Sequence, residues 1–102
     1  MFIIQIFNRR GEQIYYTTEV NINRACSYLI AKSYELDLEQ PWGGMMKRLI
    51  ELANLADANA VTGEGSPVQS FDLDTATDGT NAEKMITVTY HANSKFYYYY
   101  HD

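Results

Sequence analysis

Hydrophobic and polar positions change period along this chain, and the changes mark out its elements. Phe2, Ile4 and Ile6 alternate with Ile3, Gln5 and Phe7, so Phe2 to Asn8 reads as a strand. Arg9-Arg10-Gly11 interrupts it as a turn, and Glu12 to Thr18, rich in Tyr and Thr, reads as a second strand. A three-residue loop sets Asn8 opposite Glu12, Ile6 opposite Ile14 and Ile4 opposite Tyr16. Directly opposed residues share a sheet face. This register predicts Phe2, Ile4, Ile6, Ile14 and Tyr16 on the core side, with Ile3, Gln5, Phe7, Gln13 and Tyr15 on the other.

The period then lengthens. Ile22, Cys26, Leu29, Ile30 and Ser33, flanked by Ala25 and Leu36, lie at helical spacing behind Asn21 and Asn23, either of which can cap. Trp42, Met46, Leu49, Ala53 and Ala56 step by four, three, four and three, a second helical stripe. Pro41 suits its first turn, but Gly43-Gly44 weaken that turn and move the ordered start toward Met45. Asn59 to Pro67, broken by Gly63 and Gly65, reads as a connector. Val68 to Asp74 is a third strand, with Phe71 and Leu73 on one face and Ser70, Asp72 and Asp74 on the other. Thr75 to Lys84 is a polar turn around Asp78-Gly79. Met85 to His91 is a fourth strand, and Phe96 to His101 a fifth, paired to the fourth as a hairpin through Asn93-Ser94. The order ββααβββ predicts an α+β fold: an antiparallel sheet of about five strands with two helices packed on one face.

The chain's 102 residues, 46% apolar and 21% charged, suit one folded domain covering 1–102. No run reaches the ~20 apolar residues of a transmembrane helix, and no basic leader precedes the opening apolar run. Cys26 is the only cysteine, so no internal disulfide is available. A cytoplasmic protein is expected, in the host cytoplasm if the chain is phage-encoded.

Charge adds a direction. The formal net charge is −5, and from Leu49 to Glu83 seven acids occur with no Lys or Arg. Such a segment can steer a basic partner, or simply keep the protein soluble. The balance disfavours direct nucleic-acid binding.

Catalytic chemistry finds no foothold. Asp74 and Asp78 fit a calcium loop ending its turn at Gly79, but Ala76 and Met85 stand where oxygen ligands belong, so an Asp-Gly turn is the better reading. His91, His101 and Cys26 have no partners at metal-ligand spacing. Gly63-Glu64-Gly65-Ser66-Pro67 lacks the spacing and the Lys of a phosphate loop, and no serine has a nucleophile-elbow context. No catalytic residue, metal site or cofactor is assigned, and the chain is expected not to be an enzyme.

Aromatic residues are the remaining signal. The last hairpin would place Phe96, Tyr98 and Tyr100 beside Thr87 and Thr89 on the helix-free face, joined there by Tyr15 from the first hairpin. Tyrosine supplies rigid contact area with a water-tolerant hydroxyl and is common at interfaces. Two partner-binding surfaces follow as candidates: this aromatic face, and the acidic segment with Asp72, Asp74, Asp78 and Glu83.

The expectation is a non-enzymatic protein-binding module, a small acidic inhibitor or antagonist of a partner with a basic surface. In size and charge alone it is similar to phage-type anti-defence proteins such as anti-CRISPRs, to nucleic-acid mimics and to immunity proteins. The alternatives are a single-stranded nucleic-acid binder stacking bases on the aromatic face, and a homo-oligomeric assembly subunit dimerising through that face.

Overall fold

A computed structural model describes residues 1–8, 10–36, 44–74 and 85–92. Its elements run β1 (Phe2–Phe7), β2 (Gln13–Glu19), α1 (Ile22–Glu35), α2 (Met45–Thr62), β3 (Val68–Asp74) and β4 (Met85–His91). The strands form one antiparallel sheet in the order β2-β1-β4-β3.

The first turn closes as its length predicts. The Asn8 N–H donates to the Glu12 carbonyl at 2.9 Å. The Asn8 side-chain oxygen accepts from the Arg10 N–H at 2.9 Å and the Glu12 N–H at 3.0 Å, clasping the turn from inside. Beyond it the register departs from expectation. Phe7 lies opposite Gln13, but Ile6 lies opposite Tyr15 and Ile4 opposite Thr17. Ile14 is therefore an extra residue, a β-bulge, and every later residue of β2 is turned over. Tyr15, Thr17 and Glu19 share the side of Phe2, Ile4 and Ile6, whereas Ile14 and Tyr16 are exposed on the reverse side. The expected places of Ile14 and Tyr16 in the core and of Tyr15 outside it are thus corrected.

β4 lies at the centre. It pairs β1 through Ile4–Val88 and Ile6–Ile86, and β3 through Phe71–Val88 and Leu73–Ile86. Both of its long edges are occupied, one by β1 and one by β3; the expected fifth strand is residues 96–101. That segment, the Thr75–Lys84 turn, Pro41 and Trp42 lie outside the described residues. Four strands and two helices are described, and the fold is α+β with an antiparallel sheet.

Asn21 caps α1, its side-chain oxygen accepting from the Asn23 and Arg24 N–H groups at 2.8 and 3.2 Å. The helix buries Ala25, Cys26, Leu29 and Ser33. α2 begins at Met45, after the glycines, and buries Met45, Leu49, Leu52 and Ala56. The expected stripe shares Leu49 and Ala56 with this face, while Met46 and Ala53 sit on its flank. α2 also runs through Asn59–Thr62, which sequence had placed in the connector, and stops at Gly63 in the left-handed region, φ 73°.

The core is one cluster: Phe2, Ile4 and Ile6 from β1, Leu73 from β3, Ile86 and Val88 from β4, and Ala25, Cys26, Leu29, Met45, Leu49 and Leu52 from the helices. All the strand members point to one side. Both helices therefore cover the same face, and among the described residues no helix covers the other.

Candidate binding surface

The helix-free face is assembled by period-two alternation. β1 contributes Ile3, Gln5 and Phe7; β2, Ile14, Tyr16 and Thr18; β4, Thr87, Thr89 and His91; β3, Val68, Ser70 and Asp72. Ile3 and Phe7 are half-buried by their neighbours. Ile14, Tyr16 and Val68 stand out at 38%, 55% and 37% exposure.

Polar groups on this face satisfy one another laterally. The Gln5 amide donates to the Gln13 side-chain oxygen at 3.0 Å, and the Thr87 hydroxyl donates to Asp72 Oδ1 at 2.9 Å. A covering surface need not supply partners for those bonded groups, so the desolvation cost of contact falls. The face thus combines apolar points at both edges with prearranged hydrogen bonds between them.

The opposite side is held by charged groups on rings. Tyr15 lies beneath Lys32 of α1, whose ammonium is 3.8 Å from the ring centre and 5.6 Å from that of Tyr28. The same ammonium donates to Glu35 Oε2 at 2.9 Å, and this bond raises the Lys32 pKa. Arg48 of α2 lies 4.2 Å over Phe71 of β3. These contacts fasten each helix to an outer strand. Tyr90 packs on Phe2 at 4.8 Å between ring centres and donates its hydroxyl to Asp57 at 3.3 Å; burial, then Asp57, pushes its pKa up.

The residues expected to bind a partner separate accordingly. Tyr15 belongs to the Lys32 contact on the helix side, and Tyr16 takes the outward place assigned to it. Asp72 is exposed on the helix-free face, and Asp74 ends β3, paired with Met85. Phe96, Tyr98, Tyr100, Asp78 and Glu83 lie outside the described residues. Tyr15 and Tyr16 are chemically identical neighbours, so only the bulge decides between them, and alternation alone does not reveal a bulge.

Of the acidic segment, Glu51 and Asp57 are exposed on α2 and Glu64 follows it, on the same half of the molecule as β3. Among the described residues no three His, Cys, Asp or Glu side chains converge as a metal site, and no helix is long and apolar enough to cross a membrane. Cys26 is buried in the core, and that burial pushes its thiol pKa up, away from the thiolate that nucleophilic chemistry needs. No protein-family model matches the chain, and neither a curated protein nor a solved structure is found to match it.

Proposed function

We propose that this chain is a non-enzymatic protein-binding module that acts by covering part of a partner protein, as an inhibitor or antagonist does. The observation that carries the reading is the helix-free sheet face, with Ile14, Tyr16 and Val68 exposed around the Gln5–Gln13 and Thr87–Asp72 pairs. Polar pairs that already satisfy each other, flanked by apolar anchors, can be covered by a partner without leaving unpaired groups. The partner's contact surface is basic: Asp72 lies on the face, and the net charge of −5 would speed the approach of a cationic surface.

The test uses the β3 half of the face. Wild-type chain and the pair Val68→Lys with Asp72→Lys serve as parallel baits for the native host's proteins. A basic protein held by wild type should be lost by the double variant, and the loss should deepen with falling salt as the introduced charges repel it. Equal capture by both baits, with circular dichroism unchanged, would remove this face from consideration.

A further inference from the structure

The two outer strands of the sheet are defended very differently. β3 follows Pro67 and carries Asp72 and Asp74, residue types that discourage an incoming strand. The second half of β2 carries one acid, Glu19, on the helix side; towards the helix-free side Tyr16 and Thr18, and Val20 just after the strand, are exposed, and the bulge at Ile14 twists only its start. Among the described residues nothing pairs with the outer edge of β2.

The main-chain groups on that edge can be assigned. Met1 and His91 exchange both hydrogen bonds, the Met1 amine donating to the His91 carbonyl at 3.2 Å and the His91 N–H to the Met1 carbonyl at 2.9 Å. Bonded pairs alternate along antiparallel strands, so Ile3, Gln5 and Phe7 face β4, and Phe2, Ile4 and Ile6 face β2. Their partners Glu19, Thr17 and Tyr15 are used internally. The N–H and C=O groups of Tyr16 and Thr18 therefore point outward.

We propose that two copies of this chain associate through the outer edge of β2, antiparallel about Thr17, into one continuous sheet. In this register Tyr16 of each copy exchanges main-chain hydrogen bonds with Thr18 of the other. Thr17 meets Thr17 on the two-fold axis, and Ile14 lies opposite Val20. The contacts on the outer face are aromatic against β-branched and β-branched against β-branched, both favourable cross-strand pairs.

Charge selects this register. Glu19 of one copy lies directly opposite Tyr15 of the other, in a non-hydrogen-bonded pair where side chains approach most closely. The Tyr15 ring carries the Lys32 ammonium at 3.8 Å, so each Glu19 carboxylate meets the other copy's cation. A shift of two residues either way sets Glu19 opposite Gln13 or Thr17 and loses this pairing. A shift of one residue opposes outward groups to inward ones and forms no ladder. The β3 edge offers no equivalent, since a copy paired there meets further acids.

The experiment measures mass in solution across a concentration series and maps the register with cysteines. Wild type should reach twice 11.7 kDa. Thr18→Lys should lose the doubled mass at concentrations where wild type holds it, with circular dichroism unchanged, because Thr18 is exposed and stands opposite Ile3 in a pair that exchanges no main-chain hydrogen bonds. Ser70→Lys, on the opposite edge, should keep it. Under oxidising conditions Thr17→Cys should cross-link to a dimer and Thr18→Cys should not, the native Cys26 being buried. Wild type at 11.7 kDa throughout, a doubled mass that Thr18→Lys leaves intact, or cross-linking at residue 18 in place of 17 would overturn the proposal.

Discussion

Leu49 and Ile14 are both aliphatic residues on amphipathic elements, yet their surroundings differ completely. Leu49 is fully buried beneath α2 in the cluster with Ile4, Ile86 and Val88, whereas Ile14 is 38% exposed on the bulge. Truncation in the core loses both transfer free energy and the contacts lining the cavity left behind. Leu49→Ala should therefore cost about 2–5 kcal/mol. Ile14→Ala removes no comparable packing and should fall well short of that, about 1 kcal/mol or less. Urea unfolding of the two variants checks the contrast, and equal losses would contradict the assigned register. The helix-side core was legible at this scale because Leu29, Leu49, Ile4, Ile6 and Val88 each lie on an unbroken period. Ile14 and Tyr15 were not, because one inserted residue reverses the face of all that follows while leaving the local pattern intact.

At the scale of elements, the two hairpin-like halves differ in what local sequence encodes. The Asn8 clasp, the Asn21 cap and the arrest of α2 at Gly63 are short-range and depend on residues within a few positions of one another. The central place of β4 depends on β1 meeting it from 78 to 88 positions away, from Phe7–Met85 to Phe2–Tyr90, and no local turn signal records such a pairing. Sequence accordingly predicted both helices and the first four strands, but not the pairing of β4 with β1. The α2–β3 connection supplies a test of local determination. Gly65 has φ 155°, and a Cβ there would sit 2.8 Å from Cγ and Nδ2 of Asn59. That Asn59 amide donates to the Ser66 carbonyl at 2.9 Å. Gly65→Ala should thus displace Asn59 and strain the backbone together, destabilising the protein by about 1–3 kcal/mol. The Asn59→Ala, Gly65→Ala double variant should recover the steric part of that loss in a thermal melt but not the backbone part. Additive losses would show that the two residues do not meet.

Across the described residues, acids gather on the α2–β3 half, while the cations over rings, Lys32 and Arg48, work inward to fasten helices to the sheet. The ionisable groups tied into this packing make stability depend on pH with a definite sign. Burial lowers the Met1 amine below its ordinary 8.0, so its contribution grows as pH rises and is complete above 8.0. The remaining groups act in the other direction. Burial raises the Cys26 thiol above 9.0, and burial first raises the Tyr28 and Tyr90 hydroxyls above 10.0. The Glu35 bond raises Lys32 above 10.5. Each of these four holds its proton more tightly when folded, so its stabilisation is fully present below the ordinary value and is lost as pH climbs beyond it. Denaturant midpoints should therefore begin to fall near pH 9 as the thiol starts to ionise in the unfolded chain. The fall should steepen above about 10, where the tyrosines and then the lysine join it. Tyr28→Phe should flatten the part beginning at 10.0, and Lys32→Met the part beginning at 10.5. Midpoints that stay level between about pH 8.5 and about 11 would show that the rings and the ammonium are not held in the folded protein as described.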